Sequence, residues 1–222
     1  YYNHLGQMIQ GTNWRNGVKE GECKAWNDAG KLREEGQYRA GRKDGRWIRY
    51  DDTGTIQSEG IFADDQKEGL FVSYYTDGQK KQEVNYRGDQ REGQEIQYAM
   101  TGKVVGKITW QADKKHGLEQ LFSVAGKPIS ETTYQNGEKH GLERQWYDNG
   151  QLRSECAWQQ GKKHGGERQW LAEGRLVYEA AWAQGKLNGI ERRLSPTTGK
   201  PISELTYAAG QLEGVEKQWY PA

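Results

Sequence analysis

The sequence has little of what builds a thick hydrophobic core. Leu, Ile, Val and Phe together supply 33 of its 222 residues, and only 4 prolines and 2 cysteines are present. No stretch approaches the roughly 20 apolar residues that a transmembrane helix needs. We therefore expect no integral membrane segment, and a thin protein with a narrow apolar stripe in place of a thick core.

An excess of charge of one sign is also lacking. The 32 basic and 31 acidic residues give a net charge of +1, and there is no basic run. A chain this poor in aliphatic residues would be disordered if its net charge were high, so the balance argues against disorder. Without an electrostatic footprint for phosphates, we predict no nucleic-acid partner.

What the sequence does have is an aromatic residue at nearly every twelfth position. Of its 9 Trp, 13 Tyr and 3 Phe residues, 18 fall in one register, which runs from Tyr2 to Trp182 and resumes, after Leu194 and one extra residue, at Tyr207 and Trp219. A fixed period of this kind is the signature of a repeat architecture. An aromatic from every strand at an even spacing predicts a single aromatic ladder on one face of a sheet.

A glycine series sets the true period at 24 residues. Glycine recurs at this spacing from Gly21 to Gly189 and then at Gly214, and a second glycine follows nine residues later, as Gly150 follows Gly141. Turn glycines this close together leave no room for a typical helix, whereas short runs between Asn-Gly or Asp-Gly turns predict hairpins. The fold class we predict is all-β: an elongated, twisted antiparallel sheet of tandem 24-residue β-hairpin repeats, about nine units in all.

An unbroken repeat leaves no linker for a domain boundary, so we predict one repeat domain over residues 1–222. It comprises a partial N-terminal repeat (1–20), the full repeats, and a C-terminal half repeat (214–222). Because the chain begins at Tyr1 inside a partial repeat, we expect an upstream segment that was cleaved or left out. The full repeats start at Gly21, Gly45, Gly69, Gly93, Gly117, Gly141, Gly165 and Gly189.

Two positions of the repeat carry most of its charge. Two residues after the repeat glycine, the first three repeats have Cys23, Trp47 and Phe71, and all later ones have glutamate. By period-2 alternation this position should face away from the aromatic ladder. Fourteen residues after the glycine most repeats have a second glutamate, with Lys107 as the exception. The first series, which we call the acidic row, is Glu95, Glu119, Glu143, Glu167, Glu191 and Glu216.

The sequence offers no constellation for catalysis or metal binding. His116, His140 and His164 each precede a repeat glycine, where we expect a turn, and copies two strands apart lie roughly 10 Å from one another, too far to share a zinc ion. Neither a nucleophile elbow nor a phosphate-binding loop is present. We predict that the protein is not an enzyme and has no metal and no cofactor. Cys23 and Cys156 lie more than five repeats apart and should be free thiols.

Aromatic residues that the twelve-residue series does not require are candidates for partner binding. Trp47, Phe71 and Tyr75 share strand parity, with Arg49 beside them, on the face that we expect opposite the ladder. Because aromatics and Arg are enriched at interface hot spots, these four could anchor a protein while the acidic row steers a basic partner. Packing of the aromatics under a curled sheet or a terminal segment is an equally open alternative. The acidic residues proposed for this surface are Glu95, Glu119, Glu143 and Glu167.

The run from Gly137 to Trp158, copied with small changes from Gly161, contains Lys-x-Gly, Asn-Gly and Ser-Glu-x-x-aromatic elements. In this pattern the chain resembles, over essentially its whole length, the bacterial variant of the MORN repeat, whose members are commonly grouped as YwqK-type antitoxins. The resemblance implies a protein that binds and neutralises a toxin or a secreted antibacterial effector, for example a lipase delivered by a type VI secretion system. Many such proteins carry an export or lipoprotein signal, which implies a periplasmic or envelope-associated location.

The predicted function is therefore protein binding, by an immunity protein or antitoxin that occludes its cognate effector and is monomeric when free. The alternative is a scaffold or envelope adaptor that assembles protein complexes or touches a membrane surface. A cytoplasmic location is likewise the alternative to the periplasm. The sequence leaves open which face of the sheet would bind the partner.

Overall fold

Strands and tight turns make up a computed structural model of the chain, which describes residues 1–4 and 6–220. All elements of these residues are β-strands, paired antiparallel, so the predicted fold class is confirmed as all-β hairpin repeats. No helix of the described residues is long and apolar enough to cross a membrane. Leu5 and the last two residues of the predicted half repeat, 221 and 222, lie outside the described residues.

Contacts divide the chain into two compact units, the N-terminal unit (Tyr1–Lys114) and the C-terminal unit (Lys115–Ala222). The 24-residue repeat runs through both of them. The single domain over 1–222 stays a prediction.

The N-terminal unit is an open antiparallel sheet in which each strand pairs with its neighbours in sequence. Both β4 and β5 pair with β3, on either side of Asp44. Its strands are β1 (Gln10–Arg15), β2 (Val18–Trp26), β3 (Leu32–Arg39), β4 (Arg42–Lys43), β5 (Gly45–Tyr50), β6 (Ile56–Ala63), β7 (Gln66–Tyr74), β8 (Lys80–Arg87), β9 (Gln90–Tyr98) and β10 (Val104–Gln111).

The C-terminal unit is built in the same way, from strands of eight or nine residues that shorten at the end of the chain. Two short strands, β19 and β20, both pair with β18. The strands are β11 (Lys114–Phe122), β12 (Pro128–Gln135), β13 (Glu138–Trp146), β14 (Leu152–Gln159), β15 (Lys162–Trp170), β16 (Leu176–Ala183), β17 (Lys186–Leu194), β18 (Pro201–Ala208), β19 (Gln211–Leu212) and β20 (Lys217–Gln218).

Two kinds of turn alternate between the strands. At Asn136 and Gly137 both residues have positive φ, 53° and 91°, which is the two-residue hairpin turn whose twist matches that of the strands. The other turn is longer and ends at a glycine such as Gly150, whose N–H donates to the carbonyl of Tyr147 at 2.8 Å. The predicted Asn-Gly and similar turns are thereby confirmed.

The repeat glycines themselves lie inside strands, and their assignment to turns was wrong. Within β13 the step from Lys139 to Glu143 faces a shorter step from Tyr134 to Thr132 on β12, so the strand bulges at Gly141, whose φ is 93°. Glycine adopts this conformation without a Cβ penalty, which explains its recurrence. A bulge glycine with a 24-residue period cannot be told from a turn glycine by spacing. The three histidines that precede repeat glycines therefore lie within strands, in β11, β13 and β15.

The twelve-residue aromatic series forms two rows, so the predicted single ladder is also corrected. Antiparallel neighbours run in opposite directions, and an aromatic near the C-terminal end of each strand therefore falls at alternate edges of the sheet. The side chains also point to opposite faces: Phe62 contacts the ring of Trp47, whereas the Tyr74 hydroxyl donates to Glu59. Only residues 24 apart, such as Phe62 and Tyr86, share an edge and a face.

We name the two surfaces by repeat position in both units. Face A carries the position two residues after the repeat glycine, for example Trp47 or Glu143, and face B carries the next position, for example Ile48 or Arg144. Both surfaces belong to one layer of strands, so side chains bury against neighbours on the same face. The best-buried apolar side chains are Cys23, Trp47, Ile48, Val72, Val84, Ile108, Cys156 and Ala180.

Candidate functional site

Trp47 is the centre of face A in the N-terminal unit. It lies between Gly36 on β3 and Gly60 on β6, which pair with its neighbours or with it directly, and it is 4% exposed. A Cβ added at Gly36 would meet the Trp47 ring at 2.2 Å, and one added at Gly60 would meet the Phe71 ring at 2.3 Å. The two aromatic rings can therefore lie flat in the sheet only because glycine occupies the neighbouring strands.

Five rings form a continuous array across β3 to β8. Successive centroids are 5.2 to 6.3 Å apart with interplanar angles of 73° to 80°, the edge-to-face geometry that aromatic pairs prefer. The rings are, in order, Tyr38, Trp47, Phe62, Phe71 and Tyr86. Trp47 and Phe71 thus lie on the same face as one aromatic row, so their predicted position on the opposite face was wrong.

A cleft of about 320 Å³ opens over this array. Trp47, Phe71 and Tyr86 line it together with Lys43 and Lys67. Its volume lies in the range of small-ligand and side-chain binding pockets. It is a concave, mainly aromatic site with positive charge at its rim.

The lysine side chains cover the rings. The Lys43 ammonium lies 3.7 Å from the Trp47 centroid and 3.1 Å from Glu34 Oε1. The Lys67 ammonium lies 5.3 Å from the Phe71 centroid and 4.7 Å from that of Tyr86. A cation over a ring face is attracted by the ring quadrupole, and this contribution grows when water is excluded.

The other predicted anchor residues lie at the edge of this cleft or outside it. Arg49 lines the cleft, its side chain 56% exposed, and one guanidinium nitrogen is 4.0 Å from Glu34. Tyr75 follows the end of β7 and makes a separate contact, in which its hydroxyl donates to the Tyr98 carbonyl at 2.8 Å. The structure therefore brings together Trp47, Phe71 and Arg49 but not Tyr75.

The acidic row also lies on face A, not on the opposite face as predicted, and its members in strands β9, β15 and β17 are buried. Glu95 is 3% exposed and accepts hydrogen bonds from Gln82, Gln97 and the Trp110 indole N–H. Glu167 is 8% exposed and pairs with Lys163 at 2.7 Å. Carboxylates that are buried and neutralised project little field, so the expected long-range steering has a weak basis.

The same ion pair recurs in the C-terminal unit. A lysine four residues before the glutamate spans the bulge and binds it, at 2.6 Å for Lys139 and Glu143. Lys115 and Glu119 form the equivalent pair. On face A the two units therefore differ at one position: aromatic rings in the N-terminal unit stand where the C-terminal unit has lysine-bound glutamates.

Face B of the N-terminal unit has a second glutamate row, bound by tyrosine hydroxyls. Tyr50 donates to Glu35 at 2.6 Å, and Tyr74 and Tyr98 donate to the equivalent carboxylates of Glu59 and Glu83. Burial and the hydrogen bond to Glu59 raise the pKa of Tyr74 to about 12. The same hydrogen bond, with help from Arg46, lowers the pKa of Glu59.

In the C-terminal unit, cations and an amide replace these hydroxyls. Arg144 Nε lies 2.7 Å from Glu155, and Arg192 bridges Glu179 and Glu204. The sequence predicted that the arginines and the acidic row lie on opposite faces, and this is confirmed. The tyrosine partners were missed, although a single-sequence signal exists: Tyr occurs two residues after an aliphatic residue, and other residues occur two after Arg or Gln.

The thiols and histidines do not form a site. Both cysteines are free and buried, and burial raises the pKa of Cys156 to about 11, which makes its thiol a poor nucleophile at neutral pH. His116 Nδ1 lies 3.5 Å from the backbone N–H of Asn136. Within residues 1–4 and 6–220, no three His, Cys, Asp or Glu side chains form a group that could hold a metal ion.

Comparison with known families places the cleft within recognised repeats. The family described as MORN repeat variant matches four segments, residues 19–40, 43–64, 67–87 and 139–160. The second contains Lys43 and Trp47, and the third contains Lys67 and Phe71. A comparison with curated proteins finds no match. The four matches support a protein built of MORN repeats, and so an all-β repeat scaffold with a role in protein binding.

Proposed function

We propose that the protein binds another protein through the cleft on face A of its N-terminal unit. The observation that carries this proposal is the ring array of Tyr38 to Tyr86 under a cleft of about 320 Å³. Rings, lysine stems and an exposed arginine at one concave site are the composition of an interface hot spot. An inserted side chain would gain apolar contact without any rearrangement of the strands.

We further propose that the bound protein is a toxin or secreted antibacterial effector, and that the chain is an immunity protein or antitoxin that occludes it. The resemblance of the repeats supports this choice, as it does a periplasmic or envelope location. Occlusion suits a rigid sheet, because a preformed surface loses little conformational entropy on binding.

Arg49 and Arg168 provide a matched test. Both are exposed arginines on strands, but Arg49 lines the cleft, whereas Arg168 lies on face B of the C-terminal unit. With the effector encoded beside the gene, Arg49→Gln should weaken binding by about tenfold or more, and Arg168→Gln should leave it unchanged. Calorimetry gives the affinities, and co-expression with the effector gives protection of growth.

Three outcomes would contradict the proposal. Equal loss in both variants would mean that the site is elsewhere or that binding is diffuse. Unchanged affinity in Arg49→Gln and in a second cleft variant, Phe71→Leu, would exclude the cleft. Copurification with several unrelated proteins, or with lipid, and no protection of growth would favour the scaffold or envelope adaptor.

A further inference from the structure

Lys67 differs from its counterparts in lacking a carboxylate. A cation stands two residues before the repeat glycine in seven successive repeats, and it is Lys in all of them except Arg91. In the C-terminal unit, Lys115, Lys139 and Lys163 each pair with the glutamate four residues later. The equivalent of that glutamate for Lys67 is Phe71, so the ammonium is kept while its counter-ion is replaced by a ring.

Two neighbours of Lys67 recover a carboxylate from other strands. Lys43, whose glutamate position is Trp47, pairs with Glu34 at 3.1 Å. Arg91 pairs with Asp113 at 2.9 Å. Among the residues that the structure describes, no carboxylate pairs with the Lys67 ammonium, which has only the rings of Phe71 and Tyr86 beside it.

Lys67 is half-buried and lines the cleft. A partly desolvated ammonium without a counter-ion is costly, and a charge-assisted hydrogen bond to an incoming anion recovers that cost. The geometry such an anion would take is given by the C-terminal unit, where a carboxylate oxygen lies 2.6 Å from Lys139 Nζ and 2.7 Å from Lys163 Nζ.

We propose that an Asp or Glu side chain of the partner protein supplies the carboxylate that Lys67 lacks, next to an apolar side chain that packs on Phe71. This rests on the proposed function, since it names the chemistry of the partner at the same cleft. A partner carboxylate would restore at Lys67 the ion pair that the chain makes for itself at Lys139. The partner is thus an acidic and apolar segment, not the basic surface that an exposed acidic row would have selected.

The test uses two probes of one shape and different charge, 3-phenylpropionate and its uncharged amide. Their binding to the full chain is followed by NMR of the Lys67 side-chain ammonium and the Trp47 indole. The carboxylate should bind about fivefold or more tightly than the amide. Lys67→Met should abolish that preference, and Lys139→Met, whose ammonium already has Glu143, should preserve it.

Equal binding of the two probes, retention of the preference in Lys67→Met, or no binding of either probe would overturn the carboxylate assignment. None of these results alters the comparison of Arg49→Gln with Arg168→Gln, so the proposed function can stand when this inference fails. Vesicles of phosphatidylcholine with and without phosphatidylglycerol form a third arm. Capture by the anionic vesicles that is lost in Lys67→Met would assign the site to a lipid phosphate and also overturn the proposal.

Discussion

The N-terminal and C-terminal units solve the same packing problem with different chemistry. At the centre of face A, the first uses Trp47 and Phe71 and the second uses glutamates bound by lysine. On face B, the first binds glutamate with tyrosine hydroxyls and the second with arginine. Each choice needs a matching neighbour: a ring needs glycine on the next strand, and an arginine makes the tyrosine hydroxyl unnecessary. The repeat therefore fixes the backbone and leaves the surface chemistry variable.

The largest difference between the units should appear when a central ring is removed. Trp47→Ala should lower the free energy of unfolding by about 3–5 kcal/mol, because the ring is nearly buried and neighbouring glycines cannot fill its space. Trp158→Ala should cost about half as much, since that ring is only partly buried. Urea unfolding followed by circular dichroism measures both. Equal losses, or a Trp47 effect below about 1 kcal/mol, would contradict the comparison.

Glycine beside a ring should be nearly as sensitive. Gly60→Ala places a Cβ 2.3 Å from the Phe71 ring and should cost about 2–3 kcal/mol through overpacking. The control is Gly166→Ala in the C-terminal unit, where no atom lies within 4 Å of the added Cβ. That change should stay within about 0.5 kcal/mol of neutral. A tolerated Gly60→Ala would show that the rings can shift within the sheet.

The tyrosine–glutamate pairs should give the N-terminal unit a pH-dependent contribution. Tyr74→Phe should cost about 1–2 kcal/mol at neutral pH by removing a hydrogen bond to a charged acceptor. Since the pKa of Glu59 is lowered by folding, its share is present above about pH 4.5 and is lost as the pH falls through the lowered value. Since the pKa of Tyr74 is raised to about 12, its share is present below about pH 10 and is lost as the pH rises through 12.

Chemical denaturation of wild type and Tyr74→Phe across this pH range measures the difference. Tyr75→Phe is the control, because its hydroxyl donates to a backbone carbonyl that does not titrate. Its cost should be constant on the acid side. A Tyr74→Phe cost that does not change below pH 4.5 would mean that the Glu59 hydrogen bond contributes nothing to stability.

The smallest effect should come from the arginine–glutamate pairs of the C-terminal unit. Arg144→Met should cost less than about 1 kcal/mol, because 39% of the Arg144 side chain is exposed and solvent screens the pair. Raising the salt concentration should reduce the cost further. Arg168→Met, which removes an exposed arginine for which the described residues show no ion pair, should show no such salt dependence. A salt-independent loss at Arg144 would point to lost packing of its aliphatic stem.

The sequence was sufficient for the fold and insufficient for the faces. Spacing of glycines and aromatics predicted the hairpins and their turns, because both depend on residues that are close in sequence. It could not tell the bulge at Gly141 from a turn, and a bulge changes which side chains share a face. The predicted places of Trp47 and Glu143 relative to the aromatic rows failed for this reason.

The cleft was predictable only in its members, not in its form. Trp47, Phe71 and Arg49 were found because the repeat does not require them, but their enclosure depends on Gly36 and Gly60, two strand glycines outside both glycine series. The partner of Lys67 was likewise invisible until the lysine–glutamate pairs of the C-terminal unit showed what is missing. Reading each repeat against the others was the signal that could have found it.

The division of the aromatic series into two rows limits how such a chain can change in length. A duplication or deletion of 24 residues returns every side chain to the same edge and the same face. A change of 12 residues keeps the aromatic period intact in the sequence yet exchanges the two faces for everything downstream, so Phe62-like rings would land among Tyr74-like hydroxyls. Gene-level slippage is thus filtered in whole hairpins, and an alignment of such proteins that is shifted by half a repeat will look convincing while matching the wrong surfaces.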